Sequence, residues 1–373
     1  HAKRVAYMSV CTAEQFGVSG EALQDLAVCA LLHDNALTQY LHEEFRGDSS
    51  AAECLPELPH LGAHCVMGEE NISALPFHTN VENIILYHHE NADGSGSFGK
   101  TWQEIPLGAR IIRLCDLLDA FCRADVFTPD VWERANAFLT RVRGRIVDEE
   151  CADAFLRAFS EQHFCSLGGR GLEERLWGKV PRTKQQLDFA QVKALAKFFA
   201  KIVDYKSPFT STHSLGVADD AECLARFMGF DEDTAQKMYL AGALHDIGKV
   251  AIGNEILEKP GRLTDSEYAE MKHHAAYTYY VLSEVEDFAE LRDWAAFHHE
   301  HLDGTGYPFG KNESELNTQE RIMACVDIYQ ALTENRPYKA GMSHEKACSI
   351  LLDMAEKGWL DRAIVEQVNA CFA

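Results

Sequence analysis

Positive charge is scarce in this chain of 373 residues, where 35 Lys and Arg face 58 Asp and Glu for a formal charge of −23. That balance excludes a non-specific binder of nucleic-acid polymers, which needs basic surface to displace counterions, and it argues equally against docking on anionic lipid. An anionic substrate would have to be captured by local charge, from a metal or from a few Lys and Arg. Long hydrophobic runs are missing too: the stretch Leu26 to Leu32 ends at His33, far short of the ~20 residues that span a bilayer. No C-x-x-C occurs among the 12 cysteines, and several sit in apolar helical stretches. Buried free thiols in a reducing, cytoplasmic setting are therefore expected. The chain opens on His1 rather than Met, so a leader is neither visible nor ruled out. Alternating β-branched runs are hard to find.

Helical periodicity is what remains. In Phe189 to Tyr205 the apolar residues Phe189, Val192, Leu195, Ala196, Phe199, Ile202 and Val203 recur at three- and four-residue steps. Gly and Pro gather between such stretches, at 166–171, 259–262 and 303–310. The expectation is an all-α protein, with tandem helical bundles because the chain repeats itself. His33-Asp34 and His245-Asp246 are 212 residues apart, as are His1 and His213. His88-His89-Glu90 and His298-His299-Glu300 are 210 apart, Asp93-Gly94-Ser95-Gly96 matches Asp303-Gly304-Thr305-Gly306 at the same offset, and Arg110…Asp116 matches Arg321…Asp327 at 211. Near-constant offsets at five places mean a duplication. The expected domains are 1–165 and 186–373, joined through Gly168-Gly169-Arg170-Gly171 and the helical stretch beyond it.

One His-Asp dipeptide carries little information, since a lone histidine is more often a satisfied side chain than a ligand. Five His and two Asp between 213 and 327, beside Gly-Lys and Asp-Gly-Thr-Gly-Tyr-Pro, are another matter. Imidazoles with carboxylates form an N/O donor set suited to iron, manganese, nickel or zinc. His245-Asp246-Ile247-Gly248-Lys249, followed by His298-His299-Glu300-His301-Leu302-Asp303-Gly304-Thr305-Gly306-Tyr307-Pro308, closely resembles the HD-GYP family of the HD phosphohydrolase superfamily. The resemblance covers roughly residues 190–373.

The resemblance implies a helical, metal-dependent phosphodiesterase that opens cyclic di-GMP or 3′,3′-cyclic GMP-AMP to the linear dinucleotide. It implies two divalent transition metals, iron or manganese favoured and nickel or zinc compatible. One would sit on His213, His245, Asp246 and Asp327, and the other on Asp246, His274, His298 and His299. A bridging hydroxide would attack phosphorus, with the ribose 3′-oxygen leaving. His274 is preferred over its neighbour His273, and His301 is expected to face solvent. Lys249 would neutralise phosphate charge, with Arg336 and Lys339 holding phosphates and Gly306 and Tyr307 in a loop that approaches the nucleotide. Phe209 stands where some relatives carry a Glu for a third metal, so two ions are expected.

The N-terminal copy keeps His1, His33, Asp34, His88, His89 and Asp116, with its third histidine unplaced between His60 and His64. Leu37 stands at the lysine position, Gly96-Ser97-Phe98 replaces Gly-Tyr-Pro, and Asp125 and Thr128 stand for Arg336 and Lys339. No turnover is expected there. Residual metal binding, burying a face of the catalytic half, dimerisation, regulatory sensing or a signalling contact are the roles left for it. Two other readings of the whole chain compete with the enzyme: a non-catalytic cyclic-dinucleotide sensor and an HD-type nucleotidase.

Overall fold

The computed structural model describes residues 1–40, 62–122, 130–206, 213–259, 261–335 and 340–373. His60, Asp125, Thr128, Phe209, Arg336 and Lys339 lie outside these. The described residues form helices and short 3₁₀ turns; pairing of extended backbone is confined to three isolated bridges. The chain divides into two compact units, 1–187 and 188–373.

In the first unit the helices are α1 (Ala2–Glu14), α2 (Gly20–Leu31), α3 (Gly62–Ile72), α4 (Leu107–Cys122), α5 (Val131–Val142), α6 (Glu149–Ala158), α7 (Glu161–Cys165) and α8 (Leu172–Lys179). Helix α1 is the central element, burying every residue from Val5 to Ala13. Helix α8 lies along it through Lys3–Glu173 at 2.5 Å and Lys179–Glu14 at 2.6 Å. The segment read as a joint thus packs with the first unit.

In the second unit the helices are α9 (Phe189–Lys206), α10 (His213–Phe227), α11 (Glu232–Leu244), α12 (Asn254–Leu257), α13 (Asp265–Ser283), α14 (Ala289–Ala296), α15 (Thr318–Thr333), α16 (His344–Glu356) and α17 (Arg362–Cys371). Their starts are encoded locally. Asp231, Thr264, Asn317 and Ser343 each accept a backbone N–H of the first turn, and Thr264 with Glu267 and Asn317 with Glu320 form reciprocal capping boxes. Helix α9 differs from the pattern read in sequence. It buries Ala196, Phe198, Ala200 and Val203, while Phe199 is 39% exposed. The apolar stripe is broad enough that period alone did not choose between adjacent phenylalanines.

Helices α10 and α11 share one core cluster, to which the first contributes Val217, Ala218 and Ala221 and the second Ala235, Met238 and Ala241. At Gly242 the backbones come so close that a Cβ there would lie 2.6 Å from Ala218 Cα. This approach brings the start of α10, at His213, beside the end of α11, at His245. Gly242→Ala is accordingly expected to destabilise the second unit by about 1–3 kcal/mol through overpacking. Helix propensity alone would favour the alanine by about 1 kcal/mol. Urea denaturation showing a stabilised variant would contradict the close approach.

Candidate metal centre

His245 caps the C-terminal end of α11, where the last carbonyls lack intrahelical partners. Its Nδ1 donates to Gly242 O at 2.7 Å. His298, just past the end of α14, donates in the same way to Ala295 O at 2.7 Å, and His274, within α13, to Met271 O at 2.6 Å. A carbonyl only accepts, so each Nδ1 carries a hydrogen, and in the neutral ring the lone pair falls on Nε2.

Those Nε2 atoms converge. His245 Nε2 lies 3.2 Å from Asp246 Oδ2 and 3.6 Å from Asp327 Oδ1. His274 Nε2 lies 3.4 Å from Asp246 Oδ1 and 3.5 Å from His298 Nε2. His213 Nε2 lies 3.1 Å from Asp327 Oδ1. His299 joins His274 and His298 in one cluster of potential donors, and His213, His245 and Asp327 form another. Asp246 faces both. His213, His245, Asp246, His274, His298 and Asp327 are all buried. His273, by contrast, is exposed and turns to Glu270 at 3.2 Å.

The electrostatics suit a cation. Burial pushes His274 and His298 down and His299 to about 3, keeping those imidazoles neutral as a ligand requires. Burial also opposes charge on His245, but Asp246 and Asp327 outweigh it and raise the group to about 9. Both carboxylates stay ionised despite burial, Asp246 through Lys249 and His245, and Asp327 through its bond to His213. Such a set of buried imidazoles, three of them held neutral, around two ionised carboxylates fits divalent transition metals.

Lys249 lies in the 3₁₀ turn Ile247–Ala251 with its ammonium on Asp246 Oδ2. Two side chains that sequence reasoning missed hold this turn. Lys206 Nζ, from the end of α9, donates to Val250 O at 2.6 Å and Ile252 O at 2.9 Å. Thr278 Oγ1, from α13, donates to His245 O at 2.8 Å and accepts Gly248 N–H at 3.0 Å. Asp204 and Glu334 were also missed. Buried Asp204, raised to about 6 by desolvation, accepts Ser214 N–H at 3.1 Å and its hydroxyl at 2.6 Å beside His213. The Glu334 carboxylate lies 3.8 Å from His213 Nδ1.

The loop after His299 is held by Glu300, buried, whose carboxylate accepts Phe309 N–H at 2.7 Å and Lys311 N–H at 2.9 Å. A Cβ on Gly306 would collide with the Glu300 and His301 backbone. That glycine therefore serves the loop's own closure. The Tyr307 ring lies 4.7 Å from that of His299. His301 departs from expectation: it is half-buried, stacked on Trp359 at 5.0 Å.

The first unit repeats the plan. Glu90 accepts Phe98 N–H at 2.8 Å and Lys100 N–H at 2.7 Å. Phe98 thus corresponds to Phe309, one residue nearer its Glu, and Ser97 alone stands for Tyr307-Pro308. The third histidine is His64: its Nε2 lies 3.5 Å from Asp34, as does His88 Nε2 at 3.6 Å. His64 and His274 are 210 apart, the offset of the histidine pairs, and that signal could have found it. His1, His33 and Asp34 cluster with Asp116 alongside.

Comparison with known proteins agrees with this duplication. The HD-domain family model matches residues 1–148 and again 197–364. The 3′3′-cGAMP-specific phosphodiesterase 1 of Vibrio cholerae serotype O1 is 29% identical over 381 residues, covering 99% of this chain and 86% of that protein. A cyclic di-GMP phosphodiesterase of Pseudomonas aeruginosa is 38% identical over 140 residues, 37% of this chain and 34% of that protein. Among solved structures, a cyclic GMP-AMP-specific phosphodiesterase of V. cholerae (V-cGAP3) superposes with a TM-score of 0.65 at 25% identity, covering 100% of this chain and 92% of that one. No described helix is long and apolar enough to cross a membrane.

The metal-free chain must lose a proton from His245 to use its Nε2 as a ligand. Metal affinity is therefore expected to rise with pH up to about 9, since the folded group holds its proton below that value. Calorimetric titration with Mn²⁺ between pH 6 and 9 measures this, and a flat profile would contradict it.

Proposed function

The chain belongs to the HD-domain family, with the HD-GYP motif in its second half, and from that premise we propose that it is a metal-dependent phosphodiesterase acting on a bacterial cyclic dinucleotide. The observation that carries the reading is the convergence of five imidazoles and two carboxylates in one buried cluster with Lys249 on Asp246. On this reading His213, His245, Asp246 and Asp327 would hold one divalent ion, and Asp246, His274, His298 and His299 the other. Divalent ions bound there would supply Lewis acidity and lower the pKa of a coordinated water.

The chain's own groups do the rest. Backbone carbonyls keep Nδ1–H fixed on His245, His274 and His298, so no reorientation precedes ligation. The Lys249 ammonium, kept charged by Asp246 against the cost of burial, faces the charge that grows on the phosphate oxygens as the 3′-oxygen leaves. The Tyr307 phenol, raised by burial, remains a hydrogen-bond donor, and its ring offers a flat face for a base. The first unit has Leu37 in place of Lys249 and is assigned no turnover. We take 3′,3′-cyclic GMP-AMP as the favoured substrate over cyclic di-GMP, because a relative spanning both halves is specific for it. Iron or manganese is the favoured metal.

Turnover of both cyclic dinucleotides, followed by chromatography on Mn²⁺-loaded protein, tests the reading. Asp246→Asn is expected to abolish linear product. Lys249→Met is expected to lower kcat by roughly 10²–10³ while leaving the metal content of the chain unchanged. Ligand binding without any product from the loaded wild type would make the chain a sensor instead.

A further inference from the structure

The first unit holds a donor cluster of its own, and its hydrogen bonds do not copy those of the second. His33 donates Nδ1–H to Ala30 O at 2.8 Å and His88 to Ile85 O at 2.6 Å, so both turn Nε2 inward, where the neutral ring carries its lone pair. Buried His88 Nε2 has no hydrogen-bond partner. Asp34 lies between the two groups, 3.2 Å from His33 Nε2 through one oxygen and 3.5 Å from His64 Nε2 through the other. His1 Nδ1 is 2.7 Å from Asp119, which Arg4 grips at 2.6 and 3.0 Å. That carboxylate fixes the hydrogen on Nδ1 and leaves His1 Nε2 3.3 Å from both Asp116 Oδ1 and His33 Nε2. One position, formed by His1, His33, Asp34 and Asp116, is therefore complete.

The other position, where His64, Cys65 and His88 gather, loses its fourth donor at His89. Its Nδ1 faces Arg113 Nη1 at 3.0 Å, while Arg113 Nη2 donates to Asn91 Oδ1 at 2.9 Å. A guanidinium only donates, so His89 Nδ1 must be the acceptor. A neutral imidazole has one acceptor nitrogen, so His89 Nε2 carries the hydrogen and offers a metal nothing. In the second unit the residue 211 positions on from Arg113 is Ala324, whose methyl makes no such demand on His299. The charge balance agrees. One dication brings the carboxylates of Asp34, Asp116 and Asp119, opposed by Arg4 and Arg113, close to neutrality. A second would leave a large positive excess in a buried site.

We propose that the first unit binds a single divalent transition-metal ion on His1, His33, Asp34 and Asp116, and that Arg113 stands in for a second by consuming the lone pair of His89. The full chain is loaded with Mn²⁺, desalted and assayed by mass spectrometry for metal per chain, with circular dichroism confirming the fold of each variant. Asp34→Asn is expected to remove one ion per chain relative to wild type, His89→Gln to remove none, and Arg113→Ala to add one. The same three differences are expected in an Asp246→Asn chain, so a failure of the second unit's site is read separately. Loss of no ion, or of two, with Asp34→Asn would overturn the proposal, as would loss of an ion with His89→Gln. A folded Arg113→Ala chain that gains nothing would overturn the role of Arg113. If that variant does not fold, Asp34→Asn and His89→Gln decide.

Discussion

The hydrogen bond from an imidazole Nδ1 to a carbonyl three residues back is the constraint on which the rest of this structure depends. It recurs at His33, His88, His245, His274 and His298. At His33, His245 and His298 the ring lies just past the end of a helix and satisfies one of its orphaned carbonyls, so a local need of the chain also sets a tautomer. Rotating any of these rings would bury an unpaired carbonyl and turn the lone pair away together. Chemical readiness and helix termination are one interaction.

Helices bring these prepared rings together because small residues allow close approach. The Gly242 carbonyl that receives His245 belongs to the residue at which α11 presses on α10. The helix contact and the ligand's orientation therefore cannot be altered separately. Around this core the supporting contacts are distant in sequence. Lys206 reaches from α9 to the turn carrying Lys249, and Thr278 reaches from α13 to the backbone of His245 and Gly248.

That division explains what sequence could tell. The all-α class followed from period, and the duplication from offsets between His-Asp and His-His pairs, because adjacent ligands leave a compact trace in the chain. The placement of His274 ahead of His273 rested on resemblance, and the helix face of α13 turns one inward and the other out. His64 was legible through the 210-residue offset but hidden by its histidine-rich surroundings. Lys206, Thr278 and Asp204 carry no pattern, since their partners are backbone atoms or a single serine brought near only by folding. The single-residue deletion beside Ser97 was invisible for a related reason: only the pairing of Glu90 with two backbone N–H groups fixes which residues correspond.

The two Glu-anchored loops show a further property of this architecture. Glu90 and Glu300 each grip their loop through backbone amides, flanked by glycines of matching left-handed geometry at 94 and 99 and at 304 and 310. Side chains between the anchor points contribute nothing to that grip. The segment consequently behaves as a socketed cassette, in which a tyrosine and a proline give way to one serine while the frame stays in place. Selection acting on ligand preference can rewrite such a cassette without renegotiating the stability of the bundle that carries it.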